Sequence, residues 1–351
     1  MKLWNRIRSS NFVIKLSNWE YWPFEVIYAP AFVYWLYLSI KARSLFFFSA
    51  ANPGIETGGL IGESKIKILQ KVPEQYLPKT IYVSHGESMD NVLDRLNSTN
   101  IDFPLIAKPN IGSRGFLVKK IISVTELKNF LGQQNVDFLL QEFIDYPMEL
   151  SILYYRFPNE STGSISSVTL KKYLTIKGDG QSSVLQLIKG FDRAKLQLET
   201  LKISHEGIMD HVPKQDETIE LVPLGNHCRG AAFYNGNHLI DKELTATFDQ
   251  VSHQLDGIYY GRFDIKCRDI DTLRLGKDFK ILEINGVGAE PAHIYDPEYS
   301  ILMAFKDILR QWKIIYQISL INRRQGANFM SFSEAYQTLV NLFAYRRLTR
   351  S

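Results

Sequence analysis

Three stretches of the chain carry side chains whose types and spacing suit phosphate chemistry. In FPLIAKPNIGSRGFLVKKI, Phe103–Ile121, an apolar run ends in Lys108-Pro109, a small polar loop follows, and a second apolar run begins at Phe116. A hairpin that only reversed the chain would do so in two to five residues and would need no cations there. A strand-end lysine offers a point charge and a Gly/Ser/Arg loop offers backbone N–H groups, which is what a phosphate requires of a protein. The lysine precedes the glycines, so the stretch is not GxxxxGK[ST], and a plain hairpin is the alternative for it taken alone. In LLQEFIDYPMEL, Leu139–Leu150, a strand ends at Glu142 and a second carboxylate, Glu149, follows seven residues later. An extended edge followed by an acid can read an adenine and a ribose diol; two solvated glutamates at a strand end are the alternative.

The third stretch is the most specific. In GRFDIK, Gly261–Lys266, strand alternation puts Arg262 and Asp264 on one face, and in FKILEING, Phe279–Gly286, it does the same for Glu283 and Asn285. Two neighbouring strands would then present hard oxygen donors beside an arginine. Such a set suits Mg²⁺, which takes one or two carboxylates plus substrate phosphates. Buried acids need a compensating charge, and a divalent ion supplies it. A purely structural acidic pair is the alternative. No persuasive Ser-His-Asp or Cys-His arrangement is visible, so no protein nucleophile is expected. Several further residues carry open readings. Arg229, in the loop His227–Gly230, greets a substrate carboxylate or phosphate, or is plain loop. Gly286–Pro291 lines a substrate or only turns the chain. His293, Tyr295 and Asp296 cap a helix by default, and His85 is a satisfied loop histidine.

Around these residues the patterning is that of a folded protein of mixed class. The 351 residues are 45% hydrophobic and 22% charged with a net charge of +4, enough for two or three domains with an unstapled core and too little charge to argue for nucleic acid. Cys228 and Cys267 match no metal or CxxC spacing, so a reducing compartment without disulfides is expected. Strands are expected over Pro78–Val83, Phe138–Gln141, Ser151–Phe157 and, as one or two strands, Ile165–Ile176. Helices are expected over Met89–Leu96, over Thr125–Leu131 with Thr125 as N-cap, over Val184–Ile188, and through most of the last sixty residues. GGLIGESK, Gly58–Lys65, reads as a tight connection, with anion binding as the alternative.

The N-terminus is aromatic: Trp4, Trp19, Trp22 and Trp35 are four of the five tryptophans. Val26–Ile40 is uncharged but shorter than the ~20 residues of a bilayer span, and Pro30 is expected to interrupt it. A buried aromatic helix or dimer face is expected there, with an interfacial membrane segment or a true span as alternatives. No apolar core of signal-peptide length follows the first cations.

In family order, FPLIAKPNIGSRG, LLQEFIDYPMEL, GRFDIK and ILEINGVGAEP resemble the ATP-grasp superfamily, and most closely its D-alanine–D-alanine ligase type, over about Lys79–Pro297. The resemblance implies an α+β ATP-grasp fold, two α+β subdomains clamping ATP, here with an aromatic-rich N-terminal segment and a helical C-terminal extension. It implies Lys108 on the nucleotide phosphates and Gly112, Ser113, Arg114 and Gly115 as a small lid. Gln141, Glu142, Phe143 and Ile144 would form the adenine hinge, Glu149 would hold the ribose, and Asp264, Glu283 and Asn285 would hold one or two Mg²⁺ (or Mn²⁺) ions. Arg262 would steady the transferring phosphoryl group. Those ligases carry lysine where this chain has Phe143, and their large-lid lysine corresponds to Lys171 or Lys172.

The expected organisation is an N-terminal region 1–75, an ATP-grasp domain 76–320 (lid subdomain about 100–150, metal-binding subdomain about 150–300) and a helical basic tail 321–351. The expected activity is ATP- and Mg²⁺-dependent joining of a carboxylate to an amine through an acyl phosphate. The alternatives are an ATP-grasp phosphotransferase and a membrane-attached nucleotide-binding scaffold. Substrates are expected to be small molecules or peptide or envelope precursors. Location is expected to be cytoplasmic, with peripheral membrane contact through 19–48 and a homodimer left open.

Overall fold

The computed structural model describes residues 10–112, 115–222 and 225–349, and of Cys228 the backbone only. Helix α1, Phe24–Ala42, runs straight through Pro30 and ends at Arg43, whose φ of 54° puts it in the left-handed region. The expected interruption does not occur. Proline at position 30 forfeits one intrahelical bond, but Ile27, Ala31 and Leu38 are buried on the face that meets the long helix Ile301–Arg324, and that packing holds the helix together. Among the described residues no helix is long and apolar enough to cross a membrane. A buried 3₁₀ turn, Phe47–Ala51, follows, and then the short helix α2, Lys65–Leu69.

Two antiparallel sheets carry the site. The first combines β1 (Thr80–Val83), β2 (Leu105–Pro109), β3 (Lys119–Ile121) and β4 (Phe138–Glu142) in the order β1-β4-β2-β3. Helices α3, Met89–Thr99, and α4, Val124–Leu131, cover its apolar face. Ser88 caps α3 and Ser123 caps α4. The cap of α4 is thus two residues earlier than Thr125, because Glu126 can reach back to the Ile122 N–H from the third helical position.

The second sheet is built from β5 (Met148–Tyr155), β6 (Ser164–Lys172), β9 (Ala232–Asn235), β10 (Tyr260–Cys267) and β11 (Phe279–Asn285), ordered β11-β10-β5-β6-β9. Strands β7 (Leu174–Lys177) and β8 (Thr218–Val222) pair separately. One face of the five-stranded sheet is apolar: Leu150, Ile152, Val168, Phe263, Ile265 and Ile281 pack on Leu244, Phe248 and Val251 of α5, Lys242–Ser252. The opposite face is apolar at Leu153 and Tyr260 and polar from Ser151, Arg262 and Asp264 onward, and Lys108 of the first sheet reaches its β11 edge. An α+β architecture with antiparallel sheets is therefore what the chain adopts.

The last helices are α6, Ile301–Arg324, and α7, Phe332–Leu348, the latter opened by a Ser331–Glu334 capping box. Ile314, Ile315 and Ile318 of α6 share one core with Leu38, Phe47, Phe48, Leu153 and Tyr260. Residues 47–58 are stitched to the second sheet by Asn52, fully buried, whose Nδ2 donates to the Gly58 and Tyr260 carbonyls and whose Oδ1 accepts from the Tyr259 and Tyr260 N–H groups.

Candidate functional site

Strand β11 meets β10 with a β-bulge. Arg262 faces Asn285 and Asp264 faces Glu283, but Ile265 faces Ile281, so Leu282 is the extra residue. Simple alternation would put Phe279, Ile281, Glu283 and Asn285 on one side. The bulge lets Phe279 and Ile281 join the apolar core while Glu283 and Asn285 turn to the polar face. It also frees the Leu282 carbonyl, which accepts a 2.7 Å hydrogen bond from Lys108 Nζ.

That bond joins residues 174 apart in sequence. Lys108 is buried at the end of β2 and donates also to Gln141 Oε1 at 2.9 Å, and Gln141 Nε2 in turn donates to Thr80 Oγ1. Burial pushes the Lys108 ammonium down to about 8, against the opposing pull of the Glu283 carboxylate.

Asp264 is the centre of the polar face. Arg262 approaches it with Nε at 3.3 Å and Nη2 at 3.1 Å, Lys171 Nζ at 3.2 Å, and Asn285 Nδ2 at 3.0 Å, and the Ser151 hydroxyl also donates to it. Burial alone would raise the Asp264 carboxyl; the Arg262 and Lys171 charges and the Ser151 hydroxyl outweigh it and hold the pKa well below the usual carboxylate range. Asn285 is within hydrogen-bond reach of Asp264, and Glu283, the cross-strand partner of Asp264, is partly exposed. Among the described residues no group of three or more His, Cys, Asp or Glu side chains converges as a metal cluster. The donor set here is two carboxylates and an amide, which fits a hard divalent ion that completes its shell with phosphate oxygens and water.

Glu149 lies one row along the same face. Its carboxylate accepts from Lys171 at 3.1 Å and from the Tyr173 hydroxyl at 2.7 Å. Of the two candidate large-lid lysines, Lys171 turns to Glu149 and Asp264, whereas Lys172 lies over the Tyr234 ring on the other side. Glu142 Oε2 accepts from the Lys79 N–H at 3.1 Å. Phe143 has Lys120 Nζ 3.9 Å and Lys266 Nζ 5.0 Å from its ring centroid, and Lys266 donates to the Ile144 carbonyl. Cations from β3 and β10 thus flank the Phe143 ring.

Gly112 and Gly115, at the loop expected to form the small lid, have φ of 141° and 69°; Ser113 and Arg114 lie outside the described residues. A side chain at 115 would strike Asn226, so the 225–229 loop lies against Gly115, and Arg229 Nη1 reaches the Val118 carbonyl at 3.4 Å. His293 is buried, with Nδ1 2.7 Å from Ser167 Oγ and Nε2 3.2 Å from Asp307 Oδ2. It caps no helix. This line of Ser, His and Asp was not visible in the sequence, and at 1% exposure for Ser167 and His293 no substrate reaches it. His85 pairs with the Gln134 carbonyl as a loop histidine.

Two residues of GGLIGESK belong to the site and were missed. Lys65 Nζ lies 3.5 Å from Glu283 Oε1 and donates to the Gly112 carbonyl. Glu63 Oε2 is buried without a hydrogen-bond partner among the described residues, and burial raises its carboxyl pKa. The available signal was a lysine directly after a glycine-rich turn. Elsewhere, a cavity of about 560 Å³ between residues 49–62 and α7 reaches Ile111, just after β2.

The class defined at this point is an α+β protein with a cationic, carboxylate-bearing site between two antiparallel sheets. Among the solved structures that resemble it are the following. A bifunctional glutathione synthetase from Pasteurella multocida is 14% identical, with a TM-score of 0.39 over 70% of this chain and 35% of that one. VanG D-Ala:D-Ser ligase from Enterococcus faecalis is 13% identical, TM-score 0.43, over 74% of this chain and 63% of that one. D-alanine–D-alanine ligase from Bacillus anthracis is 15% identical, TM-score 0.38, over 75% and 69%. The chain spans about a third of the first and less than two thirds of the second. No protein-family model and no curated protein matches the sequence. The likeness is one of general arrangement, and the functional reading rests on the site.

Proposed function

We propose that the chain is an ATP- and Mg²⁺-dependent ligase of the ATP-grasp kind, joining a carboxylate to an amine-type acceptor through an acyl phosphate. The observation that carries this is the meeting of Lys108 with β11: a strand-end lysine beside a glycine loop reaches the Leu282 carbonyl, next to Glu283, on the face that bears Asp264, Asn285 and Arg262. Under this reading Gln141–Ile144 form the adenine edge, Glu149 takes the ribose, and the lid 112–115 covers the phosphates. Asp264, Glu283 and Asn285 hold Mg²⁺ (or Mn²⁺), one ion or two, which supplies charge neutralisation to the phosphate oxygens.

The chemistry needs position and charge rather than a protein nucleophile. A substrate carboxylate oxygen attacks the γ-phosphorus, the bond to ADP breaks, and the new P–O bond gives the mixed anhydride. The acceptor nitrogen then attacks the acyl carbon, phosphate leaves, and the nitrogen loses its proton. Arg262 and Lys108 offset the negative oxygens gathered in both steps. The test is incubation with ATP, Mg²⁺ and candidate acids in hydroxylamine. A hydroxamate is the expected product; ADP release without one would make the chain a phosphotransferase. Asp264→Asn and Glu283→Gln should each abolish ATP turnover with the fold intact by circular dichroism, and near wild-type turnover in either would remove the metal assignment.

The small-molecule substrates, a cytoplasmic setting and a membrane contact through 19–48 stand as parts of the same proposal. Support for the last is the outward face of α1, where Phe32, Val33 and Ile40 are exposed.

A further inference from the structure

Helix α7 is held to the rest of the chain by few side chains. Of its 17 residues only Ala335 is buried, and the half-buried Thr338, Leu342 and Tyr345 line the cavity against residues 49–62. A helix of this length is marginal in water by itself, and most helices owe their stability to an apolar face packed on something else. The large apolar side chains of α7 point elsewhere. Phe332, Tyr336, Leu339, Val340 and Phe343 recur at the spacing of one helical face, and all five are exposed, Phe332 at 70% and Tyr336 at 69%. The outward face beside them is polar, with Ser333, Gln337 and Asn341. The exposed side of α7 is therefore itself amphipathic, which a helix facing only water has no reason to be.

This stripe adjoins another. The Phe332 ring meets Phe46 edge to face at 5.1 Å, and the Met330 N–H donates to Ser49 Oγ, so α7 begins beside the turn that follows α1. Leu45, at that junction, is exposed too, and from Val26 to Ile40 every exposed residue of α1 is apolar or aromatic.

The charges at the ends of the two stripes are mostly of one sign. Lys41 and Arg43 close α1, and Arg346 and Arg347 close α7, all four exposed. The only acid of α7, Glu334, is taken up in the Ser331 capping box, and the only acid of α1, Glu25, stands at its far end. A dimer formed through this face would bring two sets of those cations to one interface with little acid to offset them. Anionic lipid headgroups offset them all.

We propose that α7 is a second membrane-contact element: the stripe from Phe332 to Phe343 lies in the headgroup–acyl boundary of an anionic bilayer, beside α1, with Arg346 and Arg347 on the lipid phosphates. The proposal rests on the membrane contact proposed for 19–48. It extends that contact to the opposite end of the chain, to a helix that the sequence marks only as a basic tail.

The test is flotation of the full chain with vesicles of phosphatidylcholine alone and of phosphatidylcholine and phosphatidylserine in equal parts. The unaltered chain should float with the mixed vesicles. Leu339→Gln with Phe343→Gln, which adds no charge, should weaken that binding at least tenfold, and Gln337→Ala with Asn341→Ala, on the polar side, less than twofold. Arg346→Gln with Arg347→Gln should weaken binding to the mixed vesicles and leave binding to phosphatidylcholine alone unchanged. An intact affinity in the stripe variant, or an equal loss from both faces, would overturn the proposal; an intact affinity in the arginine variant would overturn its anionic-lipid part. A dimer in solution that Leu339→Gln with Phe343→Gln dissociates, with vesicle binding unchanged, would give the face to a second copy and overturn the proposal too. Should that variant fail to fold, Tyr336→Gln with Val340→Gln takes its place with the same outcomes expected. If the unaltered chain floats with neither vesicle, the membrane reading falls as a whole; if it floats and the α7 variant matches it, only the α7 assignment falls.

Discussion

Under the proposed phosphate role, the buried charge of Lys108 ties nucleotide binding to pH. Its ammonium is pushed down to about 8 by burial, from an ordinary value of 10.5. A lysine whose folded pKa is lowered costs stability in full below pH 8, and the cost is relieved as pH rises from about 8 toward 10.5, where the unfolded chain still holds the proton. Phosphate binding requires the charged form. Nucleotide affinity should therefore fall as pH rises through about 8, measured by titration calorimetry, and the step should be missing in Lys108→Ala. At pH 7 that variant should lose at least ~1.4 kcal/mol of binding, tenfold in affinity; an unchanged affinity would contradict the phosphate role. Asp264 behaves in the opposite sense. Its pKa is held low by Arg262 and Lys171, so it stays ionised across the working range and adds no step near neutrality.

Among the elements, the bulge at Leu282 and the turn around Asn52 do most to place the site. The bulge reconciles two demands on one strand, a core face and a polar face, and exposes the carbonyl that Lys108 takes. Asn52 looks in the sequence like the start of an Asn-Pro-Gly break, and in the structure it is a fully buried hub between the N-terminal segment and β10. Asn52→Ala would strand backbone groups that have no water to turn to. At about 1–3 kcal/mol for each buried unsatisfied group, the urea midpoint should fall by the equivalent of about 3–5 kcal/mol. A loss below about 1 kcal/mol would mean that the hub is not closed in solution.

Across the whole molecule, α1 and α6 join the N- and C-terminal regions over a core that includes Leu153 and Tyr260 of the second sheet. The outward side of α1 stays apolar, with Ile40 77% and Val33 67% exposed. Aromatic and aliphatic side chains so arranged, flanked by Lys41 and Arg43, suit the surface of an anionic membrane. Val33→Glu with Ile40→Glu should leave thermal stability within about 0.5 kcal/mol and abolish co-sedimentation with phosphatidylserine vesicles. Absence of sedimentation by the unaltered chain would remove the membrane contact, and a concentration-dependent dimer lost in the same variant would assign the face to a second copy.

What the sequence by itself determined is local. Period-two runs announced β1, β4, β10 and β11, helical spacing announced α3 and the C-terminal helices, and residue type marked Lys108, Arg262, Asp264, Glu283 and Asn285, because each of these signals is written within a few residues. Tertiary structure decided what depends on distant partners: Pro30 held inside a helix by packing on α6, a bulge that turns Glu283 outward while Ile281 turns in, Lys171 rather than Lys172 beside Asp264, and Lys65 between Glu283 and Gly112. None of these is encoded by neighbours in the chain. Each is set by which surfaces bury apolar area and pair charge once the sheets have met, and that balance exists only in three dimensions.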